Sequence, residues 1–147
     1  MKKFIWAGRK IKLKNLDLLQ EVARDVKQIN PEFDLEIISK ISHKDLQEKL
    51  KNCYAVILPS FSEVCPNFIL EAISFGKPFI VTQESGLKEI YNKGGIFVDP
   101  FDKMPIKQAI LDMLDDTKYE QYKREVDSTH ASRSWSEVAQ DFIKICQ

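Results

Sequence analysis

The sequence of 147 residues lacks the features that mark several broad classes of protein. Its three cysteines, Cys53, Cys65 and Cys146, form no C-x-x-C pair, and their odd number fits reduced thiols better than a disulfide framework. No apolar run is long enough to cross a bilayer, and the first residues enter a strand instead of a signal peptide. Lysine plus arginine equals aspartate plus glutamate at 22 each, so no net charge favours nucleic acid or an anionic membrane. These absences predict a soluble, cytoplasmic chain.

The common nucleotide-binding motifs are also missing. No G-x-G-x-x-G follows the first predicted strand, and no Gly-Lys-Ser or Gly-Lys-Thr loop occurs, which disfavours dinucleotide enzymes and P-loop NTPases. A response-regulator receiver needs an aspartate at the end of a central strand, and Pro59 and Ser60 stand there. Any phosphate binding must therefore use local positive charge.

What the sequence does contain is an alternation of strands and helices, which predicts a single α/β domain with a parallel sheet. No internal repeat, low-complexity tract or long linker interrupts it. Asn15 and Ser42 are candidate N-caps, and Ser134 opens a capping box. The predicted strands are 3–7, 35–39, 55–58, 79–82 and 96–98, and the main predicted helices are 16–29, 66–75, one after Pro105, a surface helix at 118–129, and one after Ser134.

One stretch, residues 59–78, organises the rest of the chain. It follows the apolar strand 55–58 and ends at Gly76, a residue that stops helices. Pro66 suits the first position of a helix, and the helix from there to residue 75 is apolar almost all round. Glu71 is its only charge. A carboxylate in a helix packed on most sides is costly without a partner, so the pattern predicts a partner for Glu71.

Glu63 supplies a second carboxylate close to the first. Seven residues separate Glu63 from Glu71, so one acid lies before the helix and the other inside it. Both can face the crevice at the carboxyl end of the strand, where open α/β sheets bind ligands. Ionised carboxylates accept hydrogen bonds from adjacent hydroxyls, each worth about 1.5 to 3 kcal/mol, which suits a sugar or a ribose. The alternative is a solvated loop acid at Glu63 and an acid favoured by the helix dipole at Glu71.

A basic loop follows the first strand. Gly8 ends the strand as a turn, and Arg9 and Lys14 bracket a basic run before the helix 16–29. Basic side chains beside a helix N-terminus form a diphosphate clamp, because the dipole and free N–H groups favour the anion. The alternative is a solvated basic loop, and this alternative is preferred for Lys10 and Lys12.

These residues carry a resemblance to a known family. The order Ser60-Phe61-Ser62-Glu63, Pro66-Asn67, Leu70-Glu71-Ala72 and Gly76-Lys77-Pro78 resembles the E-x7-E signature of the retaining glycosyltransferases of the GT-B fold, the group 1 family. The resemblance implies a Rossmann-like parallel sheet flanked by helices, with extra C-terminal helices, as one half of a GT-B fold. It implies that residues 1–147 form the domain that binds the nucleotide-sugar donor, and that the acceptor domain lies outside this chain.

The resemblance also assigns roles to single residues. Gly8, Arg9 and Lys14 match the positions that hold the donor's phosphates, and with Glu63, which contacts the transferred sugar, Arg9 and Lys14 form the implied catalytic set. Glu71 is implied to bind the ribose hydroxyls. The remaining implied donor-site residues reach sugar and phosphate through the backbone: Val64, Cys65, Pro66 and Asn67.

The sequence departs from the family pattern in two places. The family has a Gly-rich turn, a helix and a short strand between the second strand and Ser42, and this chain has almost nothing there, so the sheet is expected to lack a strand. The nucleobase is still expected near residues 40–42, including Ser42. Val64 stands where the family commonly has Gly, which predicts weaker or differently shaped sugar binding. His43 is expected to be a surface residue, and Cys65 a buried filler instead of a nucleophile.

The implied reaction is transfer of a hexose from a UDP or GDP sugar to an acceptor hydroxyl with retention, in glycan or cell-surface polysaccharide synthesis. No metal and no cofactor are expected, because the nucleotide sugar is the substrate. The expected partner is an N-terminal acceptor domain, in the same gene product or a separate chain. Through that domain the protein could be located at the membrane surface instead of free in the cytoplasm. The chain alone is expected to be inactive or weakly active. The alternative function is a non-catalytic module that binds nucleotide or nucleotide sugar.

Overall fold

The computed structural model describes residues 1–129 and 135–145. Strands and helices alternate through most of this part of the chain, and a single 3-10 turn at Lys12–Lys14 precedes the first helix. The elements are β1 (Lys2–Ala7), α1 (Leu16–Ile29), β2 (Phe33–Ile38), α2 (His43–Asn52), β3 (Ala55–Leu58), α3 (Asn67–Ser74), β4 (Phe79–Thr82), α4 (Leu87–Ile90), β5 (Gly95–Val98), α5 (Lys103–Leu114), α6 (Asp116–Thr129) and α7 (Trp135–Ile145).

The strands of the described residues form one five-stranded parallel sheet in the order β2-β1-β3-β4-β5. A doubly wound nucleotide-binding sheet has the order 3-2-1-4-5-6, and the observed order equals that arrangement without its outermost strand. Within the described residues no further strand lies between β2 and α2, as the short connection in the sequence predicts. The order reverses between β1 and β3, and the loops after these two strands flank the crevice where such sheets bind ligands.

Burial on both faces explains why these residues form these strands. Every residue of β3 (Ala-Val-Ile-Leu) and of β4 (Phe-Ile-Val-Thr) is buried, as expected for central parallel strands covered by helices on both sides. The helix α1 presents Leu19, Val22 and Val26 to this core and leaves its polar face in solvent. The central strands are thus packed on both faces, and the loops at the carboxyl edge of the sheet start from these buried strands.

Several predicted helix boundaries need correction. Pro66 is the N-cap of α3 and not its first residue. The helix α5 begins at Lys103, where the Asp102 side chain caps it, so Pro105 lies within its first turn and does not precede it. Proline fits there because the first-turn N–H groups have no partner within the helix.

The predicted surface helix 118–129 is longer and better packed than expected. It begins at Asp116, Val126 is fully buried, and the Tyr119 ring stacks on the Tyr54 ring with centroids 3.8 Å apart. The sequence prediction counted charged residues and underestimated these few apolar contacts. The predicted cap residue Ser134 lies outside the described residues.

Asn15 is the N-cap of α1, as predicted, but its side chain bonds to other loops and not to the N–H groups of the helix. Its backbone is left-handed at φ 52, and its side chain makes no capping hydrogen bond within the described structure. Instead Nδ2 donates to the carbonyl oxygens of Pro59 at 3.1 Å and Pro100 at 2.7 Å, and the residue is buried. One side chain therefore joins the loops that follow β1, β3 and β5.

Replacing Asn15 by alanine should destabilise the fold. The Asn15→Ala variant leaves two carbonyl groups without a donor, and we expect it to lower the free energy of unfolding by about 2 to 4 kcal/mol. Asn52→Ala is the matched control, because the Asn52 side chain is exposed and bonds only to Glu48 within its own helix. Urea denaturation followed by circular dichroism measures both, and equal stability of the two variants would contradict this role for Asn15.

Candidate functional site

The loops after β1 and β3 lie against each other at the carboxyl edge of the sheet. The Phe61 N–H donates to the Leu13 carbonyl oxygen at 2.9 Å, which joins the two loops through their backbones. The Phe61 ring stacks on the Phe101 ring, with centroids 5.1 Å apart, and so extends the contact to the loop after β5. Side chains predicted from separate parts of the sequence are thus brought to one edge.

The central contact of this edge is an ion pair between Lys14 and Glu63. Lys14 Nζ lies 2.5 Å from Glu63 Oε1, and the two side chains are only 18% and 11% exposed. The Glu63 N–H also donates to the Glu84 carbonyl oxygen at 2.9 Å, which holds the acid's backbone in place. The structure therefore brings together one predicted cation and one predicted acid that are 49 residues apart.

Gly8 and Arg9 precede this pair on the loop after β1, and a Cβ on Gly8 would lie 3.8 Å from Lys14 Cε. Arg9 is exposed, and its side chain makes no ion pair with any described residue. Gly8 continues the ladder by donating its N–H to the Ile38 carbonyl oxygen at 3.0 Å. The chain bends at Gly8 directly after β1, as predicted, although its φ is not positive and a Cβ there would meet only ordinary contacts, from 3.7 Å.

Glu71 has the partner that its position requires, on the neighbouring helix. His43 Nε2 lies 3.2 Å from Glu71 Oε1, and the Glu71 side chain is 29% exposed. The other oxygen, Oε2, is buried and has no hydrogen-bond partner among the described residues. His43 is exposed, as predicted, but sequence reasoning missed this contact. The short connection between β2 and α2 was the available signal, because it places the start of α2 beside the crevice.

The segment 64–67 crosses the mouth of the crevice before α3. Val64, Cys65 and Asn67 are exposed, whereas Pro66 is buried. The prediction that Cys65 is a buried filler is wrong, because the loop lies above the core, which residues of α3 fill. The Val64 carbonyl oxygen accepts from the Gly86 N–H at 3.1 Å, and a Cβ on Gly86 would approach that oxygen to 2.8 Å.

Ser42 begins α2 as predicted. Its Oγ accepts a hydrogen bond from the Asp45 N–H at 3.2 Å and lies 2.6 Å from Asp45 Oδ2. Residues 39–42 are exposed and connect β2 to α2 without an intervening element. This placement leaves the backbone of the connection free for a ligand at the edge of the crevice, and the role of Ser42 at the nucleobase stays a prediction.

Buried polar atoms without partners mark the same region. Within the described part of the chain, three side-chain atoms of this kind are found: Trp6 Nε1, Ser60 Oγ and Glu71 Oε2. The Trp6 ring lies near the basic loop, 3.7 Å from where a Cβ on Gly8 would be. Ser60 lies two residues after the end of β3. Such atoms usually bond to water or ligand. Sequence reasoning missed Trp6, because a tryptophan in a buried strand gives only a packing signal.

Cys53 lies before β3, at the edge of the sheet opposite the site. Burial raises the pKa of the Cys53 thiol to about 11, and its Sγ donates to the Leu50 carbonyl oxygen, so this cysteine stays a thiol at neutral pH. Among residues 1–129 and 135–145, no group of three or more His, Cys, Asp or Glu side chains could hold a metal ion. In the same residues, no helix combines the length and apolar character that spanning a membrane requires.

A cavity of about 510 Å³ lies between the basic loop, Phe61 and the first turn of α1. Lys10 and Lys12, which the sequence analysis assigned to solvent, contribute to its wall with Phe61 and the first turn of α1. Neither predicted acid lines it. The cavity therefore shares the N-terminus of α1 with the predicted phosphate clamp, whereas Arg9 and Lys14 do not line it.

Comparison with known proteins places the chain in a family. The model of the family "Glycosyl transferases group 1" matches residues 31–127. The D-inositol 3-phosphate glycosyltransferase of Paenarthrobacter aurescens (strain TC1) is 25% identical over an alignment 167 residues long. The alignment covers 92% of this chain and 41% of that protein. The chain thus spans about two fifths of the length of this curated relative.

Solved structures show the same fold. The C-terminal domain of a glycosyl transferase group 1 family protein from Francisella tularensis superposes with a TM-score of 0.68 at 17% identity, covering 89% of this chain and 86% of that one. A variant of S. aureus TarM in complex with Fondaparinux, alpha-GlcNAc-glycerol and UDP gives a TM-score of 0.76 at 16% identity, covering 97% of this chain and 35% of that one. These neighbours are glycosyltransferases of the GT-B fold. With the family match over most of its length, this chain belongs to the group 1 glycosyltransferases.

Proposed function

We propose that this chain is the donor-binding domain of a retaining glycosyltransferase, which transfers a hexose from a nucleoside diphosphate sugar to an acceptor hydroxyl. The observation that carries the proposal is the contact between Lys14 and Glu63 at the carboxyl edge of the sheet. It joins the residue assigned to the diphosphate to the residue assigned to the sugar, which are adjacent groups in a sugar nucleotide.

The diphosphate would lie between Arg9, Lys14 and the N-terminus of α1. An ammonium group has three N–H donors, so Lys14 can keep its bond to Glu63 and still donate to phosphate. Arg9 has no competing ion pair with a described residue and supplies the net positive charge. The Asn15 side chain is turned to the Pro59 and Pro100 carbonyl groups, so it leaves the first N–H groups of α1 for an anion.

The same two cations would carry the catalytic effect of this domain. As the bond to the sugar breaks, negative charge gathers on the leaving diphosphate. Fixed cations at that place stabilise the transition state more than the ground state. Lys14 is held in position by Glu63 before the reaction begins, which reduces the reorganisation needed during it.

The sugar and the nucleoside would occupy the two ends of the crevice. Glu63, with the backbone of the segment 64–67, faces the transferred sugar, and Glu71 accepts hydrogen bonds from the ribose hydroxyls. The exposed connection 39–42, including Ser42, borders the nucleobase. The partly buried Glu71 carboxylate supports this assignment, since one of its oxygens has no partner among described residues.

UDP is the first donor nucleotide to test, because the TarM neighbour was solved with UDP, and GDP is the second. The proposed setting is glycan or polysaccharide synthesis in the cytoplasm, with an acceptor domain completing the active site. Positioning an acceptor accounts for a large part of a transferase's rate, so we expect little turnover from this domain alone.

A non-catalytic binding module is the second candidate. It is favoured by the fact that the chain spans only 41% of its curated relative. The two candidates differ in transfer activity and not in donor binding. The test measures transfer of labelled glucose from UDP-glucose, with and without the added acceptor domain of TarM. Transfer favours the enzyme, whereas donor binding without transfer favours the binding module.

Arg9→Ala and Glu71→Ala should each weaken nucleotide binding. Each variant removes charged hydrogen bonds worth about 1.5 to 3 kcal/mol, so we expect the dissociation constant for UDP or GDP to rise by about tenfold or more. Isothermal titration calorimetry with both nucleotides measures this change.

Exposed residues far from the crevice serve as controls for those two variants. Arg24→Ala on α1 and Glu120→Ala on α6 remove the same charges from the surface and should leave binding unchanged. Absence of binding heat with both UDP and GDP in the unaltered chain would contradict the proposed function.

The Lys14 and Glu63 side chains should be coupled in their contribution to stability. In a double-mutant cycle with Lys14→Met and Glu63→Gln, we expect a coupling free energy of about 1 to 3 kcal/mol, because both side chains are largely buried. The exposed Lys51–Glu48 pair is the control, with an expected coupling of about 0.5 kcal/mol or less. Urea denaturation gives both values, and a coupling no larger than the control's would show that the pair does not form in solution.

Val64→Gly should improve binding of the sugar part of the donor. The Val64 side chain is 87% exposed in the segment proposed to approach the sugar, so removing it gives the ligand closer access to the backbone. We expect tighter binding of UDP-glucose or GDP-mannose and no change for UDP or GDP alone. Calorimetry with the four ligands tests this, and an equal gain for sugar-free nucleotides would rule out steric hindrance by Val64.

A further inference from the structure

His43 occupies a fixed position next to the acid proposed to bind ribose. It is the first residue of α2, and Ser42 caps this helix by accepting the Asp45 N–H. His43 Nε2 lies 3.2 Å from Glu71 Oε1. The imidazole is 66% exposed, so it stands at the mouth of the crevice while the acid lies deeper, at 29% exposure.

The shortened connection in the sheet explains why the two residues meet. β2 ends at Ile38 and α2 begins at His43, so only four residues separate the strand from the helix. The start of α2 therefore cannot move away from the carboxyl edge, and α2 packs beside α3, which carries Glu71. The short connection between β2 and α2 therefore places His43 next to Glu71, the acid proposed to bind ribose.

A carboxylate at this position needs orientation as well as charge. It offers about four lone-pair sites, and rotation about its last torsion has only a broad, roughly two-fold preference. A side chain held next to Oε1 restricts the plane of the group and leaves the remaining lone pairs for other partners. Oε2 has no partner among the described residues, so the group has unused accepting capacity.

We propose that His43 is a positioning residue for Glu71, which orients the carboxylate to accept hydrogen bonds from the ribose hydroxyls of the donor nucleotide. This inference rests on the proposed function. The imidazole stays next to Oε1, with Nε2 at 3.2 Å, and the ribose hydroxyls donate to the lone pairs that remain. His43 thus favours ribonucleotides through Glu71 without contacting the reacting atoms.

The competing role for His43 has the opposite sign. If the imidazole only occupied the place of the ribose on Glu71, the nucleotide would have to displace it, and removing it would tighten binding. The direction of the change in affinity therefore separates positioning from obstruction.

The test compares nucleotides with and without ribose hydroxyls. UDP and 2′,3′-dideoxyuridine diphosphate, or the guanosine pair if the chain prefers GDP, are titrated into the unaltered chain and into His43→Ala, His43→Gln and Lys44→Ala. We expect His43→Ala to weaken UDP binding by about three- to tenfold with little effect on the dideoxy compound, because only the hydroxyl bonds to Glu71 depend on it. His43→Gln retains a donor and should recover part of the loss, and Lys44→Ala, an exposed neighbour on α2, should change neither.

The result that overturns the inference is an unchanged ratio of the two affinities in His43→Ala, or tighter binding of UDP. A loss of the same size for both nucleotides also overturns it, because that pattern reflects a merely structural role. If the unaltered chain binds neither nucleotide, the proposed function itself fails. Thermal denaturation of His43→Ala should match that of the unaltered chain, since the side chain is mostly exposed.

Discussion

The ion pair between Lys14 and Glu63 is the constraint on which the site depends. It connects the loop after β1 to the loop after β3, the two strands between which the order of the sheet reverses. Hydrogen bonds around it prevent either loop from moving away: Asn15 holds the Pro59 carbonyl group, and the Phe61 N–H reaches Leu13. Because the pair is largely buried, separating it without another partner would leave an uncompensated charge. A phosphate or a sugar hydroxyl can supply such a partner.

The position of β2 at the edge of the sheet has consequences of its own. In the described structure β2 is an outer strand, and outer strands tend to pair with other chains. Glu36 on β2 bonds to Lys49 at 2.5 Å and lies 3.4 Å from Lys3. The hydrogen bond from Lys49 holds the pKa of Glu36 below its usual value, so the edge stays charged at neutral pH. Charge on an edge strand protects against such pairing. It therefore suits a sheet whose outer strand is β2.

Much of the fold followed from the sequence because burial and helix periodicity leave a local record. The strand 55–58 and the helix 16–29 have the predicted bounds, since continuous apolar runs and a regular apolar stripe have few other interpretations. Helix starts were less accurate at Pro66 and Pro105, because proline is accepted both as a cap and in the first turn.

The site was only partly predictable. Lys14 and Glu63 meet at the carboxyl edge of the sheet, whereas Gly76, Lys77 and Pro78 of the signature precede β4 at the opposite edge. The roles of the assigned residues in binding stay predictions. The contacts that organise them depend on the tertiary fold: Asn15 turning away from its helix, Lys14 reaching Glu63, and His43 reaching Glu71. No spacing rule relates residues so far apart in sequence. The exposure of Cys65 was also missed. The sequence of a short loop does not indicate which of its side chains pack into the core.

The central claim is that one ligand lies across the edge formed by the loops after β1 and β3. An amide chemical-shift titration of the labelled 17.1 kDa chain with UDP and with GDP tests it most directly. The account predicts that one nucleotide shifts the amides of Gly8 and Arg9, the first turn of α1, the segment 64–67 and Glu71 together, at one saturating concentration. Shifts confined to the groove beside β2, lined by residues such as Arg24 and Leu35, or no shifts with either nucleotide, would contradict it.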